Sequence, residues 1–365
     1  MLLAGQQTQR AVPQDGVLQR GTIAKLLLQG HRDLGGYMAS AAAIPLIDIG
    51  ALFGPPSPER DATDRSLITA ATGIGFFTVS GLPDDIPIGS TIRYELLRVF
   101  TDHGARDWRE QQQQTDAGRV NFYRGWIVTE EGHPTYNAGP DVAHGARAIH
   151  PNDPLRQETP LPPEALLPGW RAAVRGYYLG MEHVGDAIAR SLARGLRLED
   201  DTLSLSFRGG ISTLRLAQYC VRPASGSLLQ QEQTHTMYDG RRRAVMLGAH
   251  ADFGFVTLLA QDGAGGLQAR MPNGEWVDVP PTEDTLVVNF GKLLERWTGG
   301  QIRATRHRVL SPGRDRFSIP FFYEPRVDAR IAPLRLCHVE SFEPFVYGDY
   351  VWVASKRFAG QRIVA

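Results

Sequence analysis

Residues 244–270, AVMLGAHADFGFVTLLAQDGAGGLQAR, decide how this chain is read. Three short apolar runs lie in it: AVMLGAH (244–250), FVTLLAQ (255–261) and GLQAR (266–270). The segments ADFG and DGAG between them carry glycine, which supplies the backbone freedom of tight turns. Working outward, the same rhythm continues in ISTLRLAQYCV (211–221), EWVDV (275–279), TLVVNF (285–290), ATRHRVL (304–310) and RFSIPFF (316–322). Many short strands at regular spacing predict a sandwich or barrel.

The chain before residue 210 reads differently. IPLIDI (44–49) and FFTVS (76–80) are strand-like, and helices are expected over 59–73 and about 88–102. QQQQ (111–114) reads as polar loop or helix surface. Residues 130–165 are rich in Pro, Gly and Asn and lack periodicity, which reads as a long loop of the kind that carries lids and binding segments. Over 167–196, Trp170, Val174, Tyr177, Met181, Val184, Ile188 and Leu192 recur at three- and four-residue steps, drawing one apolar helical stripe. The expected fold class is α+β with a mainly β core, a double-sheet roll with helices packed outside it. Residues 1–43 read as a disordered leader, 44–165 as an N-terminal region, 166–350 as the long helix plus the β core, and 351–365 as a tail, all one structural unit.

Composition narrows the function. Hydrophobic residues make 42% of the 365 and charged residues 21%, the balance of a globular protein. Lys+Arg and Asp+Glu stand at 39 each, so no global field favours nucleic acid or a membrane surface, and a small-molecule partner is expected. Oligomeric state leaves no mark. Two cysteines, Cys220 and Cys337, make neither a disulfide framework nor a Cys-based zinc site; as buried free thiols they fit a reducing cytoplasm.

The chemistry begins at AHADFG. On a strand, residues i and i+2 point to one side, so His250 and Asp252 share a space from which Ala251 turns away. A third ligand must come from elsewhere, and His307, centred in ATRHRVL, is the candidate. Two imidazoles and one carboxylate leave metal positions open, the arrangement of non-haem Fe(II) oxygenases. Nine residues on stands Arg316, with Ser318 at the same strand parity. A guanidinium fork and a hydroxyl suit the distal carboxylate of a small dicarboxylic acid. Each residue also has a plainer reading: Asp252 as a turn residue, His307 as a core histidine, Arg316 as a surface ion-pair residue.

The series His250-x-Asp252…His307…Arg316-x-Ser318 resembles the isopenicillin N synthase-like branch of the 2-oxoglutarate- and Fe(II)-dependent dioxygenases. GAHADFGFVTLLAQDGAGGLQ, GEWVDVPP, VVNFGKLLERWTGGQIRATRHRV and DRFSIPFFYEP resemble that branch, as do IPLIDIGALF and GIGFFTVSGLP near the N-terminus. The resemblance covers roughly 44–350. It implies a distorted double-stranded β-helix (jelly roll) backed by the long helix. It also implies Fe(II) on His250, Asp252 and His307, with 2-oxoglutarate as co-substrate and O2 as oxidant.

In the same resemblance Arg316 and Ser318 would take the C5 carboxylate of 2-oxoglutarate, and Tyr219 would hydrogen-bond the co-substrate. Two positions depart from the pattern. Ala217 stands where an Asn usually opens an Asn-Tyr-Tyr run, and Gly291-Lys292 replaces Gly-Asp. The implied reaction consumes 2-oxoglutarate to succinate and CO2 while the substrate is hydroxylated, desaturated or cyclised. Asp252 argues against halogenation, which needs a small residue there. Phe322, Tyr323 and Arg124 are the candidate substrate contacts, and Phe122, Tyr123 and Trp126 either line the cavity or belong to the core. Two other readings stand beside this one: an oxidase of the same branch that does not use 2-oxoglutarate, and a cupin-like binding module. A cupin would usually show His-x-His and a downstream Glu, which this sequence lacks.

Overall fold

The computed structural model describes residues 44–114, 124–129, 132–145, 158–221, 234–336 and 342–352. The leader, Phe122, Tyr123, Cys337 and the tail from 353 therefore lie outside the described residues, as does 146–157 of the expected loop. Residues of the unit Ile44–Ala365 are the subject below.

In chain order the strands are β1 (Leu46–Asp48), β2 (Phe76–Ser80), β3 (Gly125–Val128), β4 (Pro134–Ala138), β5 (Thr213–Tyr219), β6 (His235–Tyr238) and β7 (Arg241–His250). They continue with β8 (Val256–Gln261), β9 (Leu267–Arg270), β10 (Trp276–Asp278), β11 (Leu286–Phe290), β12 (His307–Leu310), β13 (Arg316–Tyr323), and the short pair β14 (Arg330–Ile331) and β15 (Phe345–Val346). The helices are α1 (Pro58–Gly73), α2 (Ser90–Thr101), α3 (Arg106–Gln114), α4 (Asp141–His144), α5 (Trp170–Gly195) and α6 (Lys292–Trp297). QQQQ thus closes a helix. The expected loop 130–165 is partly ordered chain: its described residues include β4 and α4. β4 escapes the strand pattern because it opens on Pro134 and interrupts its short apolar content with Asn137.

An eight-stranded sheet runs β1-β2-β11-β8-β13-β5-β4-β3, and a five-stranded sheet runs β10-β9-β12-β7-β6. Alternation along the larger sheet sorts its side chains onto two faces. One face, with Phe77, Val79, Leu214, Leu216, Leu258, Val288, Ile319 and Phe321, joins the core cluster that holds the stripe of α5. The other face contributes Phe76, Leu259 and Val287 to a second cluster, shared with Met246, Leu267, Ala269 and Val309 of the smaller sheet. Two sheets closed over an apolar seam, with helices on one outer side, make the double-sheet roll that the strand rhythm predicts and the jelly roll that the resemblance implies.

Local chemistry fixes the helical layer. Ser57 caps α1 by accepting from Arg60 N, Pro58 opens its first turn, and Glu59 and Asp61 favour the N-terminal end of its dipole. Buried Asp64 of α1 accepts from Ser191 Oγ at 2.6 Å and from Arg194 Nε at 2.6 Å, tying α1 to α5. Toward the sheet, Tyr178 of α5 meets Phe321 edge-on at 4.9 Å between centroids and donates to Ser212 O at 2.7 Å. Among the described residues no helix is long and apolar enough to cross a membrane.

Candidate metal centre and its cavity

β7 ends on His250 and β12 begins on His307, and the two are direct Cα partners across the smaller sheet. Their rings lie 4.3 Å apart, centroid to centroid. Asp252 follows β7 by two residues and turns its carboxylate to the same point. Its Oδ1 stands 3.6 Å from His250 Nε2 and 3.7 Å from His307 Nε2. Ligand atoms from these three residues all lie within 4.8 Å of one another. The larger sheet supplies the clamp on the carboxylate: Asp252 Oδ2 accepts from Thr257 Oγ1 at 2.6 Å and from Asn289 Nδ2 at 2.8 Å. Oδ1 is thereby left toward the imidazoles.

Both imidazoles are oriented by backbone. His250 Nδ1 pairs with Gly248 O at 2.8 Å and His307 Nδ1 with Thr305 O at 3.2 Å. A carbonyl can only accept, so Nδ1 carries the proton in each ring and Nε2 presents its lone pair. Burial, then the neighbouring His307, pushes the His250 imidazole below its ordinary value, which favours the neutral ligand form. Burial alone would raise the Asp252 carboxyl, but His307, Thr257 and His250 together hold it below the usual carboxylate range. Two imidazole nitrogens and one carboxylate oxygen converging on one point fit a divalent iron with open positions.

The co-substrate candidates line the facing wall. In β13, Arg316, Ser318, Pro320 and Phe322 share one parity. Ser318 pairs with Gln261 and Phe322 with Thr257, so this parity looks onto the face that carries the Asp252 clamp. Arg316 is 1% exposed, donates Nε to Gly265 O at 3.1 Å, and lies over the Tyr219 ring at 5.3 Å. Its Nη2 is buried with no hydrogen-bond partner among the described residues, and so is Gln261 Oε1. Burial weakens the guanidinium's hold on its proton, only partly offset by Tyr219 and Asp262. A buried cation with an unpaired donor is costly unless an anion completes it. That is the donor set a 2-oxoglutarate carboxylate requires.

Tyr219 is the Cα partner of Arg316, and Ala217 faces Ser318 on the adjacent strand. Ala217 carries no polar side-chain atom, so this wall offers one donor fewer than the resembled pattern. Lys292 is turned away, pairing with Glu295 at 2.5 Å, while its backbone N donates to Asp252 O at 2.8 Å. Phe322 lies on the cavity parity. Tyr323, one residue on, lies on the other: it stacks on Phe207 at 4.5 Å and presses on Gly185 of α5. Arg124 is 0% exposed and donates Nη1 to Thr213 Oγ1 at 2.7 Å, packed against Gly139. Tyr323 thus faces away from the metal ligands, and Arg124 is engaged with Thr213, the strand partner of Phe322. Trp126 packs on Phe100 at 5.3 Å, on the helix side of the sheet. Cys220 is half-buried rather than buried.

Sequence reasoning misses the residues that hold the ligands in place. Thr257 and Asn289 are legible only as polar interruptions in the apolar runs FVTLLAQ and TLVVNF, at the parity of the inner face. Arg215, one charged residue between Leu214 and Leu216, carries the same signal.

Residues 224–325 match the 2OG-Fe(II) oxygenase superfamily. The chain is 30% identical to clavatol oxidase claD of Penicillium crustosum over 319 residues, 80% of this chain and 88% of that protein. It is 33% identical to the 2-oxoglutarate-dependent dioxygenase htyE of Aspergillus rugulosus over 199 residues, 51% of this chain and 56% of that one. The fold superposes on a full-length Neurospora crassa protein crystallised in complex with alpha-KG and 5-formyluracil, with a TM-score of 0.67, 25% identity, and 87% and 96% of the two chains covered. With its His-Asp-His cluster set in a jelly roll, the chain belongs to the 2-oxoglutarate- and Fe(II)-dependent oxygenase superfamily and is an oxidoreductase of that kind.

Proposed function

We propose that this protein oxidises a small, specialised metabolite, coupling its hydroxylation, desaturation or ring closure to conversion of 2-oxoglutarate into succinate and CO2. The observation that carries the proposal is Arg316: buried, with Nη2 unpartnered, on the strand face that looks toward the Asp252 clamp. A desolvated guanidinium needs an anion to complete it, and the distal carboxylate of 2-oxoglutarate supplies one; succinate release separates this reading from an oxidase whose own substrate brings the carboxylate.

His250, Asp252 and His307 would hold the iron through Nε2, Oδ1 and Nε2. When bound, iron and 2-oxoglutarate supply the oxidising power, drawn from O2. Arg316 and Ser318 bind the C5 carboxylate and so fix the direction in which the co-substrate enters. The Tyr219 ring packs against that guanidinium and its hydroxyl adds a donor. Thr257 and Asn289 hold Oδ2 of Asp252, so Oδ1 is the oxygen that would be offered to the iron. Phe322, on the cavity parity of β13, contributes an apolar surface for the substrate. Relatives act on small molecules of this scale: clavatol by one name, and a pyrimidine derivative bound in the Neurospora crassa complex.

The test is anaerobic titration of Fe(II) and then 2-oxoglutarate, followed by admission of O2 with a metabolite library and assay of succinate. Iron binding, a new visible absorption band on adding 2-oxoglutarate, and succinate release with at least one metabolite are expected. Bound iron without that band and without succinate would leave the 2-oxoglutarate-independent oxidase as the better account.

A further inference from the structure

Arg215 is a charged residue on the inward-facing parity of β5. In β5 the inward parity is Thr213, Arg215, Ala217 and Tyr219, and Arg215 is the Cα partner of Asn137 on β4. Its Nε donates to Asn137 Oδ1 at 3.0 Å, and its Cζ lies over the Phe322 ring at 5.1 Å. Among the described residues no carboxylate pairs with it, and none accepts from Nη1 or Nη2. The side chain is half-buried.

This is a cation held still and left incomplete. Asn137 fixes one edge of the guanidinium and Phe322 covers one flat face, so the edge bearing Nη1 and Nη2 is the part left to bind. That edge is a fork matched to a carboxylate, and immobilising it in advance removes part of the ordering cost of binding. Position separates it from the co-substrate anchor. Arg316 stands opposite Tyr219, four residues along β5 from Arg215, which at strand rise is about 13 Å. The Arg215 end adjoins Phe322, whose partner Thr257 clamps Asp252, so it lies on the substrate side of the iron ligands.

We infer that the substrate carries a carboxylate, which Arg215 takes as a bidentate partner while the adjoining carbon frame rests by Phe322. The inference rests on the oxygenase reading for which side of the cavity the substrate occupies. Arg215 is then a specificity-determining residue: it selects acids over the corresponding esters and aims the carbon frame at the iron.

The test uses the full chain with Fe(II) and saturating 2-oxoglutarate, without O2. Phenylacetate, cinnamate and octanoate are each titrated against their methyl esters by calorimetry or saturation-transfer NMR. The acids are expected to bind roughly tenfold to a hundredfold more tightly than the esters, the range of a charge-assisted pair. Arg215→Gln should bring each acid down to its ester while leaving the ester unchanged, and Arg215→Lys should restore part of the preference. A purely structural role would not move that ratio. Should Arg215→Gln fail to fold, the wild-type chain answers by footprinting: phenylglyoxal should modify Arg215, and an acid but not its ester should protect it. Equal binding of acid and ester, a preference that survives in Arg215→Gln, or no acid bound at millimolar concentration overturns the inference. If the wild type shows no absorption band with Fe(II) and 2-oxoglutarate, the oxygenase reading falls instead, and the acid-against-ester comparison still reports on Arg215 alone.

Discussion

Asn289 Nδ2 donates to Asp252 Oδ2 at 2.8 Å, although 37 residues separate the two. The bond crosses from the larger sheet to a ligand that follows the last strand residue of the smaller one, and Thr257 Oγ1 makes a second at 2.6 Å. Together they decide which carboxylate oxygen faces the metal. Removing a partner of this kind costs about 10–100-fold in metal affinity across metalloproteins. Asn289→Ala and Thr257→Val should each weaken Fe(II) binding within that range, measured by anaerobic titration with a competing chelator. Unaltered affinity in both variants would mean the carboxylate orients itself.

Arg316 and Ser318 are expected to separate in effect. Arg316→Ala removes a charged fork and should weaken 2-oxoglutarate binding roughly a hundredfold, with Arg316→Lys recovering little because a point charge cannot bond bidentately. Ser318→Ala removes one neutral donor, worth about 1 kcal/mol, and should cost several-fold. Iron affinity should hold in all three, since none touches a ligand. The measurement is 2-oxoglutarate affinity at fixed Fe(II); a Lys variant that binds as wild type does would refute the fork.

Much of this site was legible because strand period two is strict. Given Arg316 in β13, Ser318 follows on one side; Asp252 lies two residues past the end of β7, yet its carboxylate reaches the same point as His250. The same rule, applied to adjacent residues, separates Phe322 from Tyr323: neighbours on a strand cannot both face the cavity, and Tyr323 faces α5. Arg124 was not legible as interior, because a charge reads as exposed until Thr213 and the absence of a side chain at Gly139 give it a buried place. The clamp from Thr257 and Asn289 depends on the register of β8 against β11 and on closure of the two sheets, both set by contacts distant in sequence. β4 hid behind Pro134, and its pairing with β5 is what brings Asn137 to Arg215.

Gly185 in α5 has no room for even a methyl group. A Cβ there would stand 2.5 Å from the Tyr323 ring, so helix and sheet approach as closely as backbone allows. Gly185→Ala should destabilise by about 1–3 kcal/mol through overpacking, despite alanine's better helix propensity. Pairing it with Tyr323→Leu should relieve the clash, giving a double variant more stable than the sum of the single effects. Chemical denaturation of the four proteins measures this, and strict additivity would show that the ring simply moves aside.

Glu324 supplies a pH test at a group that is not itself a metal ligand. It is 5% exposed at the end of β13, where Tyr347 OH donates to its Oε2, and its backbone N donates to Ser212 Oγ at 3.1 Å. Burial, and then the Asp252 charge, push its carboxyl well above its ordinary value of 4.5. The folded state therefore holds a proton that the unfolded chain releases near its ordinary value. Its stabilising contribution is complete below about 4.5 and is lost as pH rises toward the folded value. Gln keeps the shape and cannot ionise. Glu324→Gln should thus gain Tm relative to wild type as pH rises from about 5 to about 8, with the two metal-free proteins converging in acid. Parallel Tm curves across that span would show that Glu324 is already ionised at neutral pH, its charge compensated within the fold.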